Sequence, residues 1–256
     1  MASPESYVPQ NHLRRLKWRK SRDRVIELGL LAAGLVAVFV TVSIAIILIT
    51  ESLPFFEKVS IKEFLTDTMW TPMFDQPRYG ILPLVAGTLV TTMVALSLAI
   101  PCGTIIAIYL SEFASHRTRE LIKPMLELLG AVPTVVYGYF ALMMVTPFLQ
   151  KFMPNLPGFN MLGPGLVIGI MIIPYIASLS EDAMRAVPKY MREGSYAMGA
   201  TRFQTATRVV VPGALSGIAA AYILGISRAV GETMVVAVAA GLQPNLTWNP
   251  TESAAT

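Results

Sequence analysis

"GALSGIAAAYILGISRAVGETMVVAVAAGL", residues 213–242, carries only two charges, Arg228 and Glu232, in an otherwise apolar run. A bilayer span takes roughly 20 mostly apolar residues, so the run is long enough to cross. Four more blocks of the same kind lie at about 25–50, 81–110, 124–149 and 162–180. The whole chain is 54% hydrophobic and 14% charged, where a soluble domain is about one quarter charged. Its mean hydropathy is +0.58. The apolar residues come in long blocks rather than at amphipathic spacing, and the helical core of a large soluble protein would need more polar faces. The expected fold is therefore all-α: a polytopic helical membrane protein with five spans.

The basic residues set the expected orientation. Arg14, Arg15, Lys17, Arg19, Lys20, Arg22 and Arg24 precede the first span. Arg117, Arg119 and Lys123 lie between the second and third, and Arg185, Lys189, Arg192, Arg202 and Arg208 between the fourth and fifth. The opposite side holds only Lys58, Lys62, Arg78 and Lys151. Basic loops stay in the cytoplasm, which puts the N-terminus inside, with residues 1–24 as a basic cytoplasmic tail before a membrane domain over 25–256. The net charge of +4 thus describes topology and gives no support for nucleic-acid binding. The first apolar stretch is too long for a signal-peptide core and no small-residue cleavage site follows it, so it reads as an uncleaved span.

Several chemistries are excluded. Cys102 is the only cysteine, and His12 and His116 are the only histidines, both in expected cytoplasmic segments. No paired Cys or His spacing marks a metal site, and no cofactor is implied. The spans lack paired aspartates, a serine with a histidine, and H-E-x-x-H, so an intramembrane enzyme is not supported. No G-x-x-x-x-G-K-[ST] occurs, so ATP is not hydrolysed by this chain.

The extracytoplasmic segment, about 51–82, contains Trp70, Pro72, Phe74, Asp75, Pro77 and Tyr79. It reads equally as a docking surface or as a connector with aromatic interfacial anchors. In and beside the third and fourth spans stand Pro133, Gly138, Pro147, Gly163, Pro164, Gly165, Gly169 and Pro174. Simple close helix packing accounts for such residues. Bent helices lining a polar path, with Thr134, Tyr137 and Tyr139 as its polar groups, are the sharper alternative.

The most informative loop is "REGSYAMGATRFQTATRVVVPGALSGIAAAYIL", residues 192–224. Its first half is amphipathic enough for a short helix and is then broken by glycine. Met198, Phe203 and Val209 can form an apolar face, and Pro212 stands where a first-turn proline loses no hydrogen bond. The loop resembles the EAA motif of ABC-importer permeases: E-A-A, three residues, G, nine residues, I, one residue, L-P. Glu193 matches the E, Gly194 and Ser195 replace the alanines, Gly199 follows after three residues, and Val209, Val210, Val211 and Pro212 follow nine later.

Within that superfamily, "AVPTVVYG" in the third span and "SRAVGETMVVAVAAG" in the fifth make the chain similar to the PstC family of phosphate permeases. The resemblance implies a type I ABC importer permease (MetI-like) fold in a bacterial inner membrane. It implies a second, PstA-like permease, two copies of a PstB-like cytoplasmic ATPase and a PstS-like phosphate-binding protein as partners. It also implies ATPase coupling through a loop at about 183–212, by Glu193, Gly199, Ala200, Arg202 and Pro212, and a translocation path through Arg228 and Glu232. The family continues into a sixth span, which is missing here after "NLTWNPTESAAT"; truncation is the expected reason, with the C-terminus outside. Sulfate, molybdate or another oxyanion suits one arginine as well as phosphate does, and a channel or structural protein not coupled to ATP is the remaining alternative.

A charge at the bilayer centre costs about 2.5–3.5 kcal/mol on insertion scales. Arg228 must therefore face the bundle interior or water. On a continuous helix Glu232 would lie about 6 Å further along the same face. Two arrangements satisfy this: a closed ion pair, or an arginine presented to a passing anion with the carboxylate as its counterweight.

Overall fold

The computed structural model describes residues 10–256, with side chains from residue 22. Residues 1–9 of the expected basic tail, and the side chains of His12, Arg14, Arg15, Lys17, Arg19 and Lys20, lie outside the described residues. The chain divides into two units, Met1–Ile61 and Lys62–Thr256.

The first unit is helix α1, Gln10–Lys58. Helix therefore starts before the expected span at 25 and runs past its expected end at 50. From Leu30 through Phe39 to Leu48 its apolar side chains are exposed all round, as suits a helix whose solvent is lipid.

The second unit is helical. A short helix, α2 (Ile61–Thr66), leads to α3 (Leu82–Ile108), which a π-helical turn extends through Phe113. Then come α4 (His116–Ala131), α5 (Thr134–Phe140), a second π-helical turn, and α6 (Thr146–Gln150). Helix α7 (Leu162–Ala186) is the central element, packed against α3, α4 and α11. After it stand α8 (Lys189–Ala197), α9 (Arg202–Thr205), a third π-helical turn, α10 (Val211–Gly213), α11 (Leu215–Val230) and α12 (Met234–Ala239).

Three helical stretches are long and apolar enough to cross a membrane: Arg22–Lys58, Leu82–Phe113 and Leu162–Ala186. Two bent pairs bring the number to as many as five if each pair is counted as one span: His116–Ala131 with Thr134–Gln150, bent by 88°, and Arg202–Gly213 with Leu215–Val230, bent by 74°. The first, second and fourth expected spans coincide with single helices, whereas the third and fifth overlap bent pairs only in part, since Arg202–Gly213 lies almost wholly in the expected loop at 183–212. The first bend has a backbone cause. Proline biases the residue before it away from helix, and Val132 is extended before Pro133. The carbonyl of Leu129 would accept from residue 133, but proline has no N–H to give. The Tyr137 hydroxyl donates to that carbonyl instead, at 2.6 Å.

The core joins α3, α5, α7 and α12, with Ala95, Ala99, Val167, Ile168, Met171, Ile172, Ile176, Val235, Val236 and Ala239 fully or nearly fully buried. Helices in lipid associate through small residues that let backbones approach. At Gly169 an added Cβ would lie 2.8 Å from the Ala95 carbonyl oxygen, so only glycine fits there. Gly163, Pro164, Gly165 and Pro174 are likewise buried in α7. For these residues the packing reading holds. Tyr137 is buried and engaged by the backbone of the bend, whereas Tyr139 is exposed.

The segment before α3 is ordered. The Arg78 guanidinium grips Asp67 at 2.7 and 2.8 Å, and Trp70 meets Tyr79 edge to face. The last residues also pack back onto the bundle. Ala254 and Ala255 are buried, Ala254 N–H donates to the Ala240 carbonyl, and Met161 N–H donates to the Glu252 carbonyl.

Candidate translocation path and coupling loop

Helix α11 ends at Val230 because Gly231 closes it; the Gly231 N–H donates to the Ser227 carbonyl at 3.0 Å and Glu232 lies beyond the helix. This corrects the expectation of one continuous face. Arg228 occupies the last turn of α11, where a cation interacts favourably with the carbonyl end of the helix. Its guanidinium carbon sits over the Tyr175 ring, 5.6 Å from the centroid. Glu232 is buried, at 7% exposed. Its carboxylate accepts from the Val235 N–H at 3.4 Å, in the first turn of α12. Among the described residues no ion pair joins Arg228 to Glu232. The arginine is exposed, and among the described residues no acceptor takes its N–H groups.

Tyr175 is held from its other end. Its hydroxyl donates to the Gly130 carbonyl at 3.4 Å, in the last turn of α4 before the bend. It also lines a cavity of about 380 Å³ with Glu127, Gly130, Ala131, Pro174, Ser178 and Leu179.

The candidate coupling loop is two helices joined at a break, as the amphipathic pattern and Gly199 predict. Gly199 has φ +83°, the left-handed region that glycine enters without cost. An added Cβ there would meet no atom within 4 Å, so the glycine serves the break and not a close backbone approach. Thr201 then starts α9 with a capping box: it accepts from the Gln204 N–H, and the Gln204 side chain accepts from the Thr201 N–H. Ser195 and Thr205 hydroxyls meet at 2.9 Å and tie the two pieces together. Glu193 is exposed on α8, beside a cavity of about 360 Å³ shared with Ser111, Arg185, Lys189, Arg192 and Tyr196. Ala200 follows the break, Arg202 opens α9 and Pro212 lies in α10. Met198 and Phe203 are 88% and 66% exposed, two large apolar side chains at the tip of the loop. Val209 is only half-exposed.

Two carboxylates that sequence reading overlooked fix this end of the bundle. Glu181 in α7 is fully buried and accepts from Arg119 Nε at 2.7 Å and Lys123 Nζ at 3.0 Å, with Arg185 Nε 3.7 Å away. Glu112, in the π turn after α3, accepts from Arg192 Nη2 at 2.9 Å. Arg192 also donates to the Val187 and Met184 carbonyls, both at the end of α7. Arg192 therefore joins α8 to the π-helical turn after α3 and to the end of α7. Residue pairing across distant loops is invisible in a single sequence, although the Glu181 and Arg185 spacing of four was a signal.

Breaking one side of a buried ion pair costs about 3–5 kcal/mol, because the remaining charges lose their partner. Glu181→Ala is expected to lower the melting temperature of the detergent-solubilised protein clearly, while the exposed Glu193→Ala leaves it unchanged. Thermal unfolding followed by size-exclusion fluorescence measures both, and equal melting temperatures would contradict the clamp.

Residues 99–252 match the family described as binding-protein-dependent transport system inner membrane component. The chain belongs to this family and is an ABC-transporter permease. It is 38% identical over 227 residues to a probable ABC transporter permease protein, YqgH, of Bacillus subtilis, covering 88% of this chain and 74% of that one. It is 34% identical over 248 residues to the phosphate transport system permease protein PstC of Haemophilus influenzae, covering 87% and 78%. An inward-facing structure of the MetNI methionine ABC transporter aligns with 63% of this chain and 74% of its own, at 22% identity and a TM-score of 0.49.

Proposed function

We propose that this chain is a phosphate-translocating permease subunit of an ATP-driven importer, and that Arg228 is the group in its path that meets the anion. The observation that carries this reading is the state of Arg228: exposed at a helix end, stacked on Tyr175, and not neutralised by Glu232. A planar guanidinium with free N–H groups suits the oxygens of a phosphate. One such contact keeps the anion weakly enough held to leave. Glu232 supplies a nearby negative charge that limits anion affinity, from its seat at α12. Relatives named as phosphate transport permeases support the choice of anion.

The end of the bundle with Glu112, Glu181 and the coupling loop faces the cytoplasm in this reading, as does the N-terminus, since basic loops are retained there. Met198 and Phe203 dock on a PstB-like ATPase, and Arg192 passes the movement of α8 to α3 and α7. A PstA-like permease completes the pathway, and a PstS-like binding protein delivers phosphate at the opposite end. The first test is phosphate uptake in bacteria deleted for this subunit. Restored, energy-dependent uptake on supplying this subunit supports the reading. Restored sulfate but not phosphate uptake overturns the choice of anion.

A further inference from the structure

We infer that Tyr175 is the positioning residue for Arg228: its ring face holds the guanidinium in the path while leaving the N–H edge open to the anion. The inference rests on the reading of Arg228 given above.

The ring is fixed independently of the arginine. Its hydroxyl donates to the Gly130 carbonyl, a group that loses its regular helical partner where α4 breaks before Thr134. A Cβ added to Gly130 would lie 3.4 Å from that hydroxyl oxygen and 3.5 Å from ring carbons Cε2 and Cζ, so the α4 backbone walls one flank. Tyr175 itself belongs to the central helix α7. Arg228 arrives from a third element, the end of α11, with its guanidinium carbon 5.6 Å from the ring centroid. That is within the range of cation–π attraction.

The chemistry distinguishes a ring from a carboxylate as a partner. A carboxylate binds arginine through the in-plane N–H groups, which are the ones a phosphate needs. An aromatic face attracts the charge and consumes none of those donors. Glu232 is engaged at α12, so the ring is the group on which Arg228 rests when no anion is present. The same residue links the arginine to the α4 bend, through Gly130.

The test varies the ring and keeps its shape. Residue 175 is replaced by phenylalanine, and by phenylalanine carrying one, two and three ring fluorines, in the full transporter reconstituted with its partners. Fluorines withdraw electron density from the face and weaken its hold on a cation. ATP-driven phosphate uptake is expected within about twofold of normal for Tyr175→Phe, falling stepwise to about a tenth with the trifluoro ring. Tyr175→Leu should be at least as low. A flat fluorine series overturns the inference, as does a Tyr175→Phe variant no more active than Tyr175→Leu, which would assign the role to the hydroxyl and the α4 bend. Arg228→Gln separates the two levels. If it transports normally, the path reading itself fails; if it is inactive and the fluorine series is flat, only the role of Tyr175 fails.

Discussion

Arg228→Gln should reduce ATP-driven phosphate uptake at least a hundredfold, with the permease still assembled with its partners. Each hydrogen bond to a charged group contributes about 1.5–3 kcal/mol, and a guanidinium offers a phosphate two in parallel. Losing both corresponds to two or more powers of ten at about 1.4 kcal/mol per tenfold. Assembly is spared because Arg228 is exposed and outside the buried core. The double variant Arg228→Gln with Glu232→Gln adds a second outcome. Had the two formed a closed ion pair, removing both charges would restore transport. Since the Glu232 carboxylate faces Val235 N–H and Arg228 faces Tyr175, the double variant should stay inactive. Recovered uptake in it would mean that the two charges serve only each other.

Gly199→Glu should abolish the stimulation of ATPase activity by phosphate-loaded binding protein while the subunit remains in the membrane at normal level. At φ +83° a side chain with a Cβ is strained by about 1–2 kcal/mol. That is enough to shift a surface break but too little to unfold a bundle whose core lies elsewhere. No atom lies within 4 Å of the added Cβ, so the glutamate makes no clash inside the chain. Its effect falls on the angle between α8 and α9, and on a new charge beside the exposed Met198 and Phe203. Gly199→Asn should retain more stimulation, since asparagine tolerates the left-handed region better than other residues with a side chain. Normal stimulation in the glutamate variant would count against the coupling role of the loop.

Much of the architecture was legible in the sequence because lipid imposes length and composition directly. The apolar blocks marked α1, α3 and α7, and the spacing from Glu193 through Gly199 to Pro212 marked a loop of short helices with a glycine break. Composition could not show where an apolar run bends. Residues 124–149 and 213–242 both look continuous, yet Pro133 turns the first by 88° and Gly231 ends α11 inside the second. The second break decides the geometry of the site, since it puts Arg228 and Glu232 on different partners. Tyr175 and Glu181 were missed for another reason. Their partners, Arg228 and Gly130 for one, Arg119 and Lys123 for the other, lie 45 or more positions away in the chain. Helical periodicity carries no information at that range.

We propose that this chain moves phosphate past Arg228 at the expense of ATP. The most direct test is accumulation of radiolabelled phosphate in proteoliposomes holding this permease, its partner permease and the ATPase, with binding protein added on one face. The account predicts accumulation that requires ATP and the binding protein, is not competed by sulfate, and disappears with Arg228→Gln. Phosphate entry that continues without ATP, or at an undiminished rate in Arg228→Gln, would contradict it.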